Sequence, residues 1–287
     1  MRYMFMRFPG GKAKAVTFSY DDGAKSDVRL ARILSQNGLK GTFNINSAWQ
    51  TEWHSTDAEM KAELLDRGHE IAVHGRIHRA PSFARPVDTI RDVLDCREEL
   101  EGRFGRIIRG YAYPDSGITR FMNGVEYSTV KNQLEAMGIA YARSLGADNG
   151  EFLIPNDPYN WIPTAHHNNP NLPSWIDIFL NLNIDSLYDG SKFPRLLYIW
   201  GHSSEFDRDN NWSLIEGIAE KLGKADGIWA ATNIEFIEYL NAFRSLTTSA
   251  KGDRVYNPTL KTIYFVADGK SFCIKPDEEI LLEGFEY

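Results

Sequence analysis

Cysteine is nearly absent: Cys96 and Cys273 are the only two in 287 residues. Two thiols cannot staple a disulfide framework. Neither stands in a Cys-x-x-Cys or Cys/His group, so both are expected to be packing residues. A basic excess is missing as well, since 32 Lys and Arg face 39 Asp and Glu for a net charge of -7. That balance removes the electrostatic footprint of a nucleic-acid binder and favours neutral or cationic small molecules and sugars as partners. No run approaches the roughly 20 apolar residues that cross a bilayer. Arg7 and Pro9 interrupt the start before the apolar core of a signal peptide develops, and the expected location is therefore cytoplasmic. Low-complexity stretches and internal repeats are also lacking.

What is present is an ordinary globular composition, 43% apolar, 13% aromatic and 25% charged, in which short β-rich runs alternate with amphipathic stretches of helix length. Strands are predicted at Ala15 to Tyr20, Gly41 to Ile45, Glu70 to His74, Ile107 to Tyr111, Ile139 to Arg143, Leu196 to Trp200 and Ile228 to Ala231, with an eighth near Trp161. Helices are predicted at Asp27 to Gln36, Asp57 to Arg67, Val87 to Arg103, Ser128 to Met137, Trp212 to Leu222 and Asn233 to Ser245. The second of these opens on the capping box Thr56-x-x-Glu59. The segment from Pro155 to Pro173 reads as a long loop. This alternation specifies an α/β fold, a distorted (β/α) barrel of seven or eight parallel strands over residues 1–248. From 249 to 287 the pattern changes to short strands with an Asp268-Gly269 hairpin turn, a small C-terminal β appendage. Removing the tail from Lys251 onward is expected to cost stability or homo-oligomer contacts before chemistry.

Ligand sites of parallel barrels lie at the C-terminal ends of the strands. There the sequence places Asp21-Asp22-Gly23 after the first strand, His74 and His78 at the third, and Gly201-His202 after the strand from Leu196. Alone, Asp-Asp-Gly makes a turn and His202 can cap one, but convergence at three strand ends is something a turn would not require. Adjacent carboxylates repel unless a cation or shared proton offsets the repulsion. Asp22, His74 and His78 form a ligand set that leaves coordination positions open, as a catalytic metal requires. Asp21 is then free to act as base and His202 as acid.

At these positions the sequence resembles the polysaccharide deacetylase family, the NodB-homology or carbohydrate esterase family 4 group. The matching stretches are Thr17-Phe18-Ser19-Tyr20-Asp21-Asp22-Gly23, His74-Gly75-Arg76-Ile77-His78 and Trp200-Gly201-His202. The resemblance implies metal-dependent removal of an acetyl group from an N- or O-acetylated carbohydrate, with acetate released, and it gives Asp21, Asp22, His74, His78 and His202 the roles just described. Zinc suits the Asp/His/His set, and cobalt, nickel, manganese or iron also bind such sites. Two other outcomes of the same constellation are hydrolysis of a different non-peptide C–N bond and a barrel that binds carbohydrate without turnover.

The family's Arg-x-Pro-Tyr-Gly motif is altered here to a run from Arg109 to Gly117 that keeps Pro114. No Arg lies two residues before that proline, so the Arg that orients the catalytic Asp must be Arg109, Arg143 or none. Arg143 is preferred because it ends a strand. Tyr113, Pro114 and Asp115 become candidates for substrate contact. Trp161 matches the family's Asp-Trp motif loosely, as a wall of a sugar site or as loop packing. Trp49, Trp53, Trp175 and Trp212 are further stacking candidates. His166 and His167 read as surface-loop residues of which at most one faces the site, and His54 and His69 as structural residues away from the mouth.

Overall fold

The computed structural model describes residues 3–122, 124–145 and 150–282, at 189 the backbone alone. In chain order its elements are β1 (Met4–Arg7), β2 (Lys14–Asp21), α1 (Ser26–Gln36), β3 (Gly41–Ile45), α2 (Asp57–Glu59), β4 (Glu70–Val73), α3 (Pro86–Phe104), β5 (Gly110–Ala112), α4 (Tyr127–Ala136) and β6 (Tyr141–Arg143). The second half holds β7 (Ala165–His166), α5 (Leu172–Asn181), β8 (Arg195–Gly201), α6 (Ser204–Arg208), α7 (Trp212–Gly223), β9 (Ile228–Ala230) and α8 (Asn233–Arg244), followed by β10 to β14 between Thr247 and Leu281.

One sheet of parallel strands runs in the order β6-β5-β4-β3-β2-β8-β7. Along β2, β8 covers one edge over Lys14 to Tyr20. The other edge is divided between β9 at Lys14 to Val16 and β3 at Phe18 to Asp21. Closure comes from the segment before β7: Trp161 bridges in parallel to Arg143, and three residues later Thr164 donates to the Tyr198 carbonyl of β8 at 2.8 Å. The result is the distorted α/β barrel that the alternation specified.

Side-chain alternation divides β2 by chemistry. Val16, Phe18 and Tyr20 join the apolar cluster under the helices with Leu30, Leu34 and Phe43. The intervening Thr17, Ser19 and Asp21 are buried polar residues that point the opposite way, into the barrel. Asn44 donates to Ser19 Oγ at 2.8 Å, and Thr17 donates to Asn233 at 2.8 Å. The inward face of β2 therefore carries hydrogen-bonded polar side chains, and Asp21 is the topmost of them.

Several elements differ from their sequence reading. The predicted strand at Ile107 begins only at Gly110, and Ile107 itself is 79% exposed. The capping box Thr56/Glu59 forms, but the helix it opens passes through a π turn at Met60–Leu64 and a 3-10 turn at Leu65–Arg67. Helix α5 starts with Pro173 in its first turn, where the missing N–H costs nothing; the proline had suggested loop. Strand β1 pairs antiparallel with β12 (Ile263–Ala267), which pairs with β13 (Lys270–Ile274), while β10 (Thr247–Thr248), β11 (Arg254–Tyr256) and β14 (Glu279–Leu281) make a second small sheet. Phe8, Phe236, Tyr239, Val255 and Phe265 share one apolar cluster, so the N-terminal strand and the tail pack together against α8. Cys96 is buried as expected, but Cys273 is exposed on β13 and is not a packing residue. Among the described residues no helix is long and apolar enough to cross a membrane.

Candidate metal centre

The backbone turns sharply after Asp21. Asp22 has φ 81 and Gly23 φ 71, and the Asp22 N–H donates to the Asn44 carbonyl at 2.9 Å. His78 also sits at positive φ, 55. Such backbone in non-glycine residues costs about 1–3 kcal/mol each and persists where the surroundings enforce it. Here both strained residues turn a side chain toward the same point.

Asp22 Oδ1 lies 3.6 Å from His74 Nε2 and 3.7 Å from His78 Nε2, and the three ligand atoms fall within 4.8 Å of one another. His74 donates from Nδ1 to the Ala112 carbonyl at 2.9 Å, which leaves the Nε2 lone pair free. Burial holds the His74 imidazole below its usual pKa despite Asp21 and Asp22 nearby, which keeps the ring neutral. Both Asp22 Oδ1 and His74 Nε2 are buried without a hydrogen-bond partner. Orphaned buried acceptors are rare in native proteins, and two facing each other across 3.6 Å are what a cation between them would satisfy. The donor set fits a divalent ion.

Asp21 is 2% exposed, and Arg143 at the end of β6 is fully buried. Arg143 Nη2 reaches Asp21 Oδ2 at 2.5 Å, and Asn44 donates to Oδ1 at 2.8 Å. Burial alone would raise the Asp21 carboxyl, but Arg143, His74, His202 and Asn44 outweigh it and hold the group below the usual carboxylate range. Arg143 also stacks over the Trp200 ring at 4.6 Å. Arg109 instead pairs with Glu238, on α8.

His202 approaches from the far side. Its Nε2 lies 3.9 Å from Asp22 Oδ2 and its Nδ1 3.6 Å from Glu205 Oε1. Burial pulls this imidazole down, yet Glu205, Asp21 and Asp22 together push it up to about 9. The other oxygen of Glu205 lies 3.0 Å from His166 Nε2 and 3.2 Å from His167 Nε2. The surface-loop reading of these two histidines is therefore wrong. His167 is 1% exposed, held between Tyr20 and Phe206, with burial driving its pKa to about 3. His166 accepts from the Asn168 N–H at Nδ1, so its proton sits on Nε2, which faces Glu205 Oε2, an oxygen buried without a hydrogen-bond partner. Both ring nitrogens of His167 are likewise buried without a hydrogen-bond partner, and His166, His202 and Glu205 bring ligand atoms within 4.8 Å of one another, a second group that could hold a cation.

The other expected residues divide. Tyr113 and Asp115 line a cavity of about 180 Å³ with Asp21, His74, His78, Trp200 and His202. Pro114 is buried behind it, against Gly75. Trp161 is not at the site: it is 1% exposed and packed on Tyr141, Tyr198 and Phe236, because its bridge to Arg143 draws it into the barrel. Trp49 stacks on His78 at 5.4 Å and Trp53 is 75% exposed. Trp212 is buried beside Phe206, and Trp175 packs against the α5 side of the core. His69 is structural, bonded to Ser35 and to the Gly41 N–H. His54 is nearer the mouth than expected, since its backbone bridges to Ala24 beside the Asp22 turn.

Sequence reading missed Asn44, Asp92, Glu205 and the place of Trp200 in the cavity. Asn44 carried a usable signal: Thr42 and Asn44 alternate with apolar Phe43 and Ile45, so a polar residue points inward one position from the strand end.

Comparison with known proteins finds similarity to polysaccharide deacetylases. The polysaccharide deacetylase family model matches residues 9–141, a span that contains Asp21, Asp22, His74 and His78 but ends before Arg143 and His202. Three solved structures share the fold. A candidate polysaccharide deacetylase from Mycobacterium smegmatis is 18% identical, with a TM-score of 0.56 over 84% of this chain and 94% of that one. A second candidate, from Pseudomonas aeruginosa PAO1, is 13% identical with a TM-score of 0.53 over 80% and 92%. The chitin deacetylase of the fungal pathogen Colletotrichum lindemuthianum is 16% identical with a TM-score of 0.51 over 80% and 89%. Among curated proteins no sequence matches. The resemblance to polysaccharide deacetylases that the motifs carry holds for the family model and for the fold.

Proposed function

We propose that the protein is a metal-dependent hydrolase that removes an acetyl group from an N- or O-acetylated carbohydrate. The observation that carries this reading is the pair of orphaned acceptors, Asp22 Oδ1 and His74 Nε2, set between a buried carboxylate and a protonated imidazole. Asp22, His74 and His78 would hold a divalent cation, zinc being the best match to one carboxylate and two imidazoles. When bound, the ion supplies Lewis-acid polarisation of the acyl carbonyl and lowers the pKa of water.

Asp21, fixed by Arg143 and Asn44, takes the proton of the water that adds to the acyl carbon. His202, held protonated by Glu205, gives its proton to the departing nitrogen or oxygen as the bond to the acyl carbon breaks. Acetate and the free sugar amine or alcohol are then the products, and the two proton carriers exchange roles with solvent before the next cycle. Tyr113 is held by its hydroxyl on the Tyr159 carbonyl at 2.9 Å and, with Asp115 and Trp200, shapes the small cavity that receives the acyl group.

The test is acetate release from chitin oligomers and from acetylated xylan by protein loaded with zinc or cobalt, with Asp21→Asn as control. Release that Asp21→Asn abolishes supports the reading. Release of amine or ammonia from a sugar-free cyclic amide, with none from either glycan, would move the assignment to another C–N bond.

A further inference from the structure

The cavity around the candidate ligands, about 180 Å³, is smaller than the ~300–1,000 Å³ of typical small-molecule sites. A second cavity of about 390 Å³ adjoins it, and His78 and Asp115 line both. Its walls come from the segment after His78 and from α3: Ile77, Ala80, Pro81, Phe83, Val93 and Tyr111 give them an apolar surface. Several of the polar groups around it are satisfied within the protein, while Arg79 and Asp115 also line it. Asp92 Oδ1 accepts from the Ile77 N–H at 3.0 Å, the Thr89 hydroxyl reaches the Pro81 carbonyl, and Arg85 is paired with Asp88 at 2.6 Å. The greater part of this wall is hydrocarbon, a surface that suits an aliphatic chain better than a sugar ring.

Its position relative to the proton carriers decides which part of the substrate enters. Asp22 presents Oδ1 to His74 and His78 and Oδ2 to His202, so its carboxylate stands between the two sides. The leaving nitrogen or oxygen must lie at His202 to receive a proton. The acyl carbon's other substituent then points to the His78 side, where the apolar cavity opens. We infer that the enzyme accepts acyl groups longer than acetyl, with the chain lying in the cavity between Ile77 and α3. This rests on the acyl-hydrolase reading above and extends it from acetyl to longer aliphatic acyl groups. Each buried methylene is worth about fourfold in binding.

The experiment uses 4-nitrophenyl acetate, butyrate and hexanoate with the zinc-loaded full chain, in the parent and in Ala84→Phe and Ala84→Leu, which fill the cavity from its half-buried wall. Calorimetric titration with acetate and hexanoate gives a readout independent of turnover. In the parent, kcat/KM for hexanoate is expected to equal or exceed that for acetate, and hexanoate to bind at least tenfold tighter. Ala84→Phe is expected to cut hexanoate turnover and binding tenfold or more while acetate changes less than threefold, with Ala84→Leu intermediate. A hexanoate rate a hundredfold below acetate in the parent, or equal losses for all chain lengths in the variants, overturns the inference and leaves the deacetylase reading intact. No turnover of any ester, or turnover that survives Asp21→Asn, brings down the underlying reading and the inference with it.

Discussion

Asp92 fills the space that a side chain at position 75 would need. A Cβ on Gly75 would stand 2.5 Å from Asp92 Oδ2, and Gly75 has φ +74. The carboxyl of Asp92 and its backbone carbonyl accept the N–H groups of Ile77 and Arg76, so α3 holds the loop that delivers both His74 and His78. Gly75→Ala must displace Asp92 and also adopt a left-handed backbone. We expect a loss of zinc affinity of tenfold or more with the far-ultraviolet circular dichroism of the parent, read by competition with a chromogenic chelator. Undiminished affinity would show that the loop does not depend on this close approach.

Arg143 and Asp21 form a buried pair whose members have no solvent to fall back on. Removing the cation in Arg143→Met leaves a desolvated carboxylate, a change that costs about 3–5 kcal/mol where it has been measured. Activity is expected to fall a hundredfold or more in kcat, and the thermal midpoint to drop. Arg143→Lys restores charge without the fork geometry, so it should recover most of the stability and only part of the rate. If both variants lose activity equally while the melting temperature is unchanged, Arg143 contributes to substrate contact in place of holding Asp21.

His78, on the loop after β4, was legible through its four-residue spacing from His74. Asp21, Asp22, His74 and His202 were legible because they stand at strand ends, where period-2 alternation and the turn residue Gly23 fix which way a side chain points. Arg143 was legible for the same reason. Glu205 was not: it lies on α6, five residues long, too short to show an amphipathic period. His166 and His167 were misread because two neighbours on a strand normally face opposite sides, whereas here a two-residue strand ends at His166 and the chain turns, bringing both rings to one carboxylate. Trp161 was drawn away from the site by a bridge between strands distant in sequence, which local pattern cannot reveal.

Glu205 is expected to act through His202, since it lies 3.6 Å from Nδ1 and touches none of the three candidate ligands. Burial raises its carboxyl, but His166 and His202 more than offset that, and it stays ionised. Glu205→Gln keeps the shape and removes the charge. The expected result is a fall in kcat of about a hundredfold, the scale of a general acid's contribution, with KM and zinc affinity little changed. His166→Gln, which touches only the outer oxygen, should cost much less. A drop in zinc affinity in Glu205→Gln would mean that the residue shapes the ligand set itself.

Glu70 lies at the opposite end of the barrel, with Thr42 and the Ile234 N–H on one oxygen, both at 2.9 Å, and the Tyr141 hydroxyl on the other at 2.7 Å. Burial outweighs these donors and pushes its carboxyl from 4.5 to about 7. Below pH 4.5 folded and unfolded chains both carry the proton, and the group adds no pH dependence. Between 4.5 and 7 the unfolded chain releases it first, so stability falls as pH rises. Above 7 the loss is complete, on the order of 3 kcal/mol. Glu70→Gln cannot ionise, and its amide oxygen can accept from Thr42 and Ile234 as before. Relative to the parent, its melting temperature should rise by about 5–10 °C between pH 4.5 and 8, measured calorimetrically in steps of half a pH unit. A difference between the two proteins that is constant across that range would mean Glu70 is ionised in the folded barrel, held so by its three donors.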